Sequence, residues 1–190
     1  MSSVAQKIRS WVFERNPGEP FTAHQLTSLC SLGFIHKEFA KLHRQNLITR
    51  VSRGVYITKT HNRFGATPPS LEKFLALKCP NEILGPSGAT ALNLLRLSTQ
   101  VPTQHVFYTT GKTRVVFLGK LRITLRHRHP QKMILGSSPA GLALTALWEL
   151  GKTQASKQHI AHFKNILSAE HFLLLEQSKP HMPSWMAKLF

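Results

Sequence analysis

The amino-acid sequence predicts an α+β fold in two parts. Apolar residues recur at helical spacing through residues 3–46, and a short alternating run typical of a β-hairpin follows at 47–59. Three further alternating runs lie within residues 105–129, and segments rich in Leu, Ala and Phe fill the C-terminal end. We therefore expect a helical part ending in a hairpin, and then a mixed α/β domain with a small antiparallel sheet and a helical C-terminal part.

The predicted domains are residues 1–60 and 71–190. Between them, residues 61–70 show no periodicity and are rich in Pro and Gly, which is typical of an inter-domain linker.

The charge of the chain is strongly unbalanced. Its 190 residues include 25 Lys and Arg against 8 acids, a net charge of +17, and all of the acids are glutamates. Such a field concentrates polyanions, so nucleic acid or an acidic surface is the expected partner. The alternative is a basic structural protein, for example one bound to ribosomal RNA, or a basic surface without a partner. No signal-peptide core or membrane-length apolar run is present, so we expect a cytoplasmic protein.

Two helices are predicted ahead of residue 33. Residues 3–15 place Ile8 and Val12 on one apolar face. Thr22 is the expected N-cap of a short second helix, and Gly33 is expected to end that helix in a tight turn.

A third helix follows, with Ile35, Phe39 and Leu42 at positions i, i+4 and i+7. Asn46 is expected to close it in the left-handed backbone conformation. The hairpin comes next, with Gly54 in its turn and an inward set of four apolar residues: Leu47, Val51, Val55 and Ile57.

This order of elements predicts a winged helix-turn-helix, a fold that binds DNA. The third helix would present its basic face to a major groove, and the hairpin would act as a wing along the phosphate backbone. Only one acid, Glu38, lies between residues 20 and 71. A solvated helix face without a ligand is the alternative. The predicted DNA-contacting residues are His36, Lys37, Lys41, Arg44 and Gln45 on the helix and Arg50, Ser52 and Arg53 at the hairpin tip.

The second domain shows a row of arginines along its predicted strands. Strands are expected in the runs HVFYTT, TRVVFL and KLRITLRHR, with the helical tail packed on the sheet and the arginine face left open. No acid occurs between Ile83 and Trp148, whereas eight Lys or Arg do. A sheet face of one sign favours a polyanion or an acidic protein as partner. The residues predicted to contact it are Arg114, Arg122, Arg126 and Arg128.

No catalytic motif is recognisable, and we expect neither an enzyme nor a bound cofactor. The chain has no aspartate, and its few glutamates are not clustered as two-metal phosphoryl transfer requires. His159 and His162 share a predicted helix face, and His127 and His129 a strand face, but no acid accompanies either pair. We predict no metal site.

Two stretches resemble a known family. Residues 39–57, FAKLHRQNLITRVSRGVYI, are similar to the helix-to-wing segment of AbiEi-type antitoxins of type IV toxin–antitoxin systems. Residues 85–111, GPSGATALNLLRLSTQVPTQHVFYTTG, resemble the start of the second domain of that family. The resemblance covers about residues 3–135. Asn46 and Arg96 stand where the family commonly has glycine.

The resemblance implies a bacterial transcriptional regulator that binds inverted repeats in the operator upstream of its own gene. In complete systems such a protein counters a nucleotidyltransferase-like toxin without forming a stable complex with it. A second hypothesis remains open, in which the arginine-bearing sheet binds RNA or neutralises an acidic toxin and the N-terminal domain serves as a scaffold.

Overall fold

The computed structural model describes residues 3–59 and 69–190, which fall into two compact units. The first contains the described residues up to Pro80 together with Phe117–Leu121, and the second contains Asn81–Val116 and Arg122–Phe190. The described part has eight α-helices and two small sheets, so the α+β class is confirmed. Apart from its last two residues, the linker predicted at 61–70 lies outside the described residues.

The described part of the first unit combines three α-helices and a 3₁₀ turn with a three-stranded sheet. The sheet is antiparallel, in the order β1-β3-β2, and β3 is its central strand. In chain order the elements are α1 (Val4–Phe13), β1 (Phe21–Thr22), a 3₁₀ turn (Ala23–Leu26), α2 (Leu32–Arg44), β2 (Ile48–Ser52), β3 (Val55–Thr58) and α3 (Leu71–Lys78).

The core of the first unit is formed by the apolar faces of α1 and α2 and the sheet. Ile35, Phe39 and Leu42 are fully buried, as their spacing predicts. The Phe39 ring lies 5.4 Å from the ring of Phe21 and 5.2 Å from that of Tyr56, both in edge-to-face geometry. Because this face of α2 is fixed in the core, the opposite face of the helix is directed to solvent.

The start of α2 differs from the prediction. Gly33 was expected to end the preceding helix, but α2 begins at Leu32, with Ser31 at the N-cap position, and Gly33 lies in its first turn. Glycine costs a helix only about 1 kcal/mol relative to alanine, and the packing of the apolar face of α2 outweighs that cost. Thr22 is an N-cap as predicted, although the segment it caps is a 3₁₀ turn.

The hairpin also differs from the prediction, because other residues face inward than those expected. Ile48, Val55 and Ile57 are buried, whereas Leu47 is 39% exposed and Val51 is only partly buried. A bulge between Arg50 and Ser52 shifts the register of β2 against β3, so simple alternation along the strand fails.

The second unit contains a four-stranded sheet and a cluster of helices. Its strands are β4 (Leu84–Pro86), β5 (His105–Thr109), β6 (Arg114–Leu118) and β7 (Leu121–His127); Phe117–Leu121 group with the first unit. Its helices are α4 (Gly88–Leu94), α5 (Pro139–Gln154), α6 (Lys157–Ile166), α7 (Ala169–Gln177) and α8 (Ser184–Ala187), besides 3₁₀ turns at Pro130–Met133 and Lys179–His181.

The sheet is mixed rather than antiparallel, so that part of the predicted fold class is wrong. The three predicted runs do form strands, but the order is β4-β5-β7-β6 and β5 runs parallel to β7. The β6–β7 hairpin places β6 outside β7, so β5 pairs with the second strand of that hairpin. Strand β4, antiparallel to β5, was not predicted.

The helices of the second unit share one apolar core. Buried residues of α4 to α8 pack together in it, among them Leu144, Phe163, Leu175 and Met186. Helix α5 has a break in its helical conformation at Gly151. Within residues 3–59 and 69–190, no helix has the length and apolar character needed to cross a bilayer.

Two residues other than glycine adopt a left-handed backbone conformation in the described chain. They are Asn46, with φ of 59°, and Arg96, with φ of 57°. Each follows a helix, and Asn46 closes α2 as predicted. Glycine is the residue for which this conformation costs least.

We predict that Arg96→Gly stabilises the protein by roughly 0.5–1 kcal/mol. The left-handed conformation costs a residue with a Cβ about 1–2 kcal/mol, and the greater backbone entropy of glycine in the unfolded chain offsets part of the gain. The urea midpoint should rise for Arg96→Gly and not for Arg96→Ala, which removes the side chain but keeps the Cβ. Equal midpoints for the two variants would contradict the prediction.

Candidate nucleic-acid interface

The solvent face of α2 is the first part of the candidate interface. Burial of Ile35, Phe39 and Leu42 orients the helix, and every predicted contact residue on it is exposed. Those residues are His36, Lys37, Lys41, Arg44 and Gln45. Lys37, Lys41 and Arg44 lie at helical spacing and form one stripe.

The cations of this stripe have no ion-pair partner among the described residues. The single acid of α2, Glu38, instead lies 3.9 Å from Arg9 of α1, carboxylate oxygen to Nε. The Arg44 guanidinium donates only a long hydrogen bond, 3.4 Å, to the Ala40 carbonyl of its own helix. The stripe therefore presents unneutralised charge, which attracts an external polyanion.

The hairpin tip is the second part of the candidate interface. Arg50 and Arg53 are exposed and Ser52 is partly buried. Gly54, with φ of 79°, makes the tight turn between β2 and β3. The Lys78 ammonium of α3 donates to the Arg53 carbonyl at 2.7 Å, so the backbone at the tip is held from one side. The two guanidinium groups have no ion-pair partner in the described part of the chain.

Two arginines of the second unit are neutralised within it. Arg114 Nη2 lies 2.7 Å from Glu82 Oε1, and Arg128 Nη2 lies 3.4 Å from Glu149 Oε2. The Arg128 guanidinium also stacks on the Tyr108 ring, 4.0 Å from its centroid, and donates to the Tyr108 hydroxyl at 2.6 Å. Arg114 and Arg128 thus have structural roles.

These pairs correct the expectation of a sheet face with one sign of charge. Glu82 and Glu149 stand immediately outside the acid-free stretch of residues 83–148, one before it and one after it. A count along the sequence misses them, whereas the fold brings both to the sheet. The arginine face is also not fully open, because Glu149 of α5 contacts Tyr108 and Arg128 there.

Arg122 and Arg126 remain exposed on β7, on either side of the segment that contains the buried residues Ile123 and Leu125. Neither has an ion-pair partner among residues 3–59 and 69–190. They are the two predicted sheet residues that stay available to a ligand.

Glu82 is the centre of a hydrogen-bond network at one end of the sheet. Its carboxylate accepts from Arg114 Nη2 and from Thr109 Oγ1, and Thr109 Oγ1 in turn accepts from the Gly111 amide at 3.0 Å. Partial burial opposes ionisation of Glu82, but the two hydrogen bonds and the charge of Arg114 outweigh it. The pKa of Glu82 therefore lies below the usual glutamate value.

The histidines considered as metal ligands have structural partners. The Ser156 amide donates to His159 Nδ1 at 3.1 Å, which caps α6, and His162 Nε2 donates to the Leu95 carbonyl at 2.8 Å. His127 Nδ1 lies 2.9 Å from the Gly111 carbonyl oxygen. The described residues contain no group of three His, Cys, Asp or Glu side chains that could hold a metal ion.

Comparison with known proteins identifies a family without an assigned activity. The family model described as "Family of unknown function (DUF6088)" matches residues 7–173. No curated protein matches the chain.

We predict that Glu82→Gln destabilises the protein at pH 7 by about 1 kcal/mol, less than the roughly 1.5–3 kcal/mol of a hydrogen bond to a charged group because Glu82 is partly exposed to solvent. Because its pKa is lowered on folding, Glu82 stabilises the fold above the usual value of about 4.3 and loses this effect as pH falls below it. Urea midpoints of wild type and variant should differ at pH 7 and converge near pH 3.

The matched control is Glu14→Gln, because Glu14 is exposed and forms no ion pair with a described residue. A difference between wild type and Glu82→Gln that persists unchanged at pH 3 would show that the carboxylate charge is not responsible.

Proposed function

The chain belongs to the DUF6088 family, and we propose that it is a sequence-specific DNA-binding transcriptional regulator. The observation that supports this most directly is the set of exposed cations on α2 and the hairpin tip that have no acidic partner in the described chain. In a protein with few acids, a stripe of this kind beside a basic hairpin is the expected footprint of a duplex-binding surface.

The arrangement of the first unit supports a winged helix-turn-helix. Helix α1, strand β1, the 3₁₀ turn, helix α2 and the β2–β3 hairpin follow one another in the order of that fold, and β1 pairs with β3. In this proposal α2 is the recognition helix and the hairpin is the wing. The aromatic contacts of Phe39 with Phe21 and Tyr56 set the orientation of the helix.

The side chains suggest a division of roles on DNA. Arg44 can make two parallel hydrogen bonds to the O6 and N7 atoms of a guanine, and Gln45 can make a similar pair to adenine. Lys37 and Lys41, as flexible point charges, suit phosphates. Arg53 at the wing tip can follow the backbone or enter a minor groove.

We further propose an antitoxin-like autorepressor of a bacterial toxin–antitoxin locus, acting on inverted repeats upstream of its own gene. The resemblance to AbiEi-type antitoxins supports this. The left-handed conformation of Asn46 and Arg96, at two positions where that pattern commonly has glycine, is consistent with the alignment of both stretches. In this proposal the opposing toxin is nucleotidyltransferase-like and forms no stable complex with the chain.

A second candidate function is favoured by Arg122 and Arg126, the exposed arginines of β7. They would bind RNA or an acidic toxin, with the first unit as scaffold. The double change Arg122→Glu and Arg126→Glu separates the candidates, because it should abolish function in the second and leave operator binding intact in the first.

The experiment that tests DNA binding is a fluorescence-anisotropy titration at about physiological salt. It compares the duplex upstream of the gene with a scrambled duplex and with a structured RNA of equal length. Preference for the upstream duplex by a factor of roughly a thousand, the lower end for specific binders, supports the regulator. Equal binding of all three, or preference for RNA, contradicts it.

We predict that Arg44→Ala weakens binding to the upstream duplex by about 1–3 kcal/mol and affects binding to the scrambled duplex much less. Arg44→Lys should give a similar loss of preference, because lysine keeps the charge but lacks the two parallel donors. If Arg44→Lys retains full preference, Arg44 contacts phosphate and not a base.

We predict that Arg53→Ala weakens binding to the upstream duplex and to the scrambled duplex by the same factor. Loss of one phosphate contact should reduce the slope of log K against log salt by about 0.9. Lys164→Ala, which removes an exposed lysine of α6, is the control and should leave the slope unchanged. An unchanged slope for Arg53→Ala would remove the hairpin tip from the interface.

A further inference from the structure

The second unit contains a cleft of about 240 Å³ beside the arginine face of its sheet. Strands β5 and β7, the start of α4, the chain before β5 and α5 all contribute residues to it. Those most relevant to binding are Ser87, Gln104, Tyr108, Arg126 and Glu149. The volume lies below the roughly 300–1,000 Å³ typical of sites for drug-sized ligands, so the cleft suits a small ligand.

Glu149 is held at this cleft by a network of hydrogen bonds. Its Oε2 accepts from the Tyr108 hydroxyl at 3.3 Å and from Arg128 Nη2 at 3.4 Å. Its carboxylate lies directly against Gly88 at the start of α4, where any Cβ would overlap it. The other oxygen, Oε1, has no hydrogen-bond partner among the described residues and is available to a donor on a ligand.

Arg126 supplies the opposite charge in the same cleft. It pairs in register with Tyr108 across the parallel strands, so both side chains lie on one face of the sheet. Arg128, two residues further, is committed to Tyr108 and Glu149, whereas Arg126 forms no ion pair with a described residue. Its planar guanidinium is well suited to a phosphate or carboxylate.

A ligand for this cleft must combine an anionic group with an edge of hydrogen-bond donors. A zwitterionic amino acid satisfies both conditions but has no net charge, so the positive field of the chain does not concentrate it. A nucleotide has net negative charge. Among the common bases, guanine alone presents two adjacent donors, N1–H and the 2-amino group, and the two lone pairs of Oε1 can accept from both.

We propose that this cleft binds a guanine nucleotide, with the donor edge of the base at Glu149 and the phosphate at Arg126. A free nucleotide and a guanosine within a single strand share this chemistry, and the experiment below distinguishes these two sources of the ligand. The proposal concerns the second unit alone and does not rest on duplex binding by α2 and the hairpin.

The test is a titration of the ¹⁵N-labelled full chain with guanosine 5′-monophosphate, adenosine 5′-monophosphate and inorganic phosphate at constant ionic strength. Binding of the guanine nucleotide should saturate and should change the chemical shifts of Tyr108, Arg126 and Glu149. Its affinity should be roughly tenfold higher than that of the adenine nucleotide. Adenine places its N1 acceptor toward the carboxylate, which leaves two acceptors facing each other.

Three variants assign the contacts. Arg126→Gln should weaken the binding of guanosine monophosphate roughly tenfold, the loss expected when a charged hydrogen bond is removed. Lys164→Gln, which removes an exposed cation of α6 outside the cleft lining, is the control and should leave binding unchanged. Glu149→Gln, which puts an amide donor opposite the base, should bring the ratio of guanine to adenine affinity close to one. The same spectra show whether each variant is folded.

Competition with a short single-stranded RNA that contains one guanosine identifies the source. If the RNA binds more tightly than the mononucleotide, the ligand is a guanosine in a strand; if the mononucleotide binds more tightly, it is free in solution. The proposal is overturned if the binding of guanosine monophosphate does not saturate, if both nucleotides bind with equal affinity, or if Lys164→Gln weakens binding as much as Arg126→Gln does.

Discussion

The scarcity of carboxylates is the constraint on which the surface of this protein depends. Eight glutamates face 25 Lys and Arg, so most cations have no acid within the chain to neutralise them. Where a glutamate meets an arginine in the second unit, as Glu82 meets Arg114 and Glu149 meets Arg128, the guanidinium becomes part of the packing. Glu38, the one acid on α2, turns to Arg9 and leaves the solvent stripe of that helix unpaired. The positions of a few carboxylates thus separate structural cations from available ones.

Much of the fold could be predicted from the sequence where a local rule decides it. The spacing of Ile35, Phe39 and Leu42 allows only one buried face for a helix, and that face is the one buried. Rules that depend on non-local pairing failed. The parallel alignment of β5 with β7 follows from the order of strands in the sheet, which the sequence of a single strand does not encode. The bulge in β2 changes which hairpin residues face inward, so they differ from those that simple alternation predicts.

The candidate site was predictable to a similar extent. Exposure of Lys37, Lys41 and Arg44 follows from helical periodicity, so the sequence identifies the stripe. The roles of Arg114 and Arg128 could not be found in the same way, because their partners are distant along the chain and meet them only in the folded unit. No motif marks the cleft at Arg126, since its lining comes from four separate stretches of the chain.

The contrast between paired and unpaired arginines also has a practical consequence for purification. At 1 M salt the Debye length is about 3 Å, so the long-range attraction of the exposed stripe for cellular polyanions is almost abolished. The hydrogen-bonded contact between Arg114 and Glu82, at 2.7 Å, lies within that length and is partly buried. Concentrated salt should therefore suppress this attraction while the internal ion pairs of the chain, and the sheet they support, stay intact.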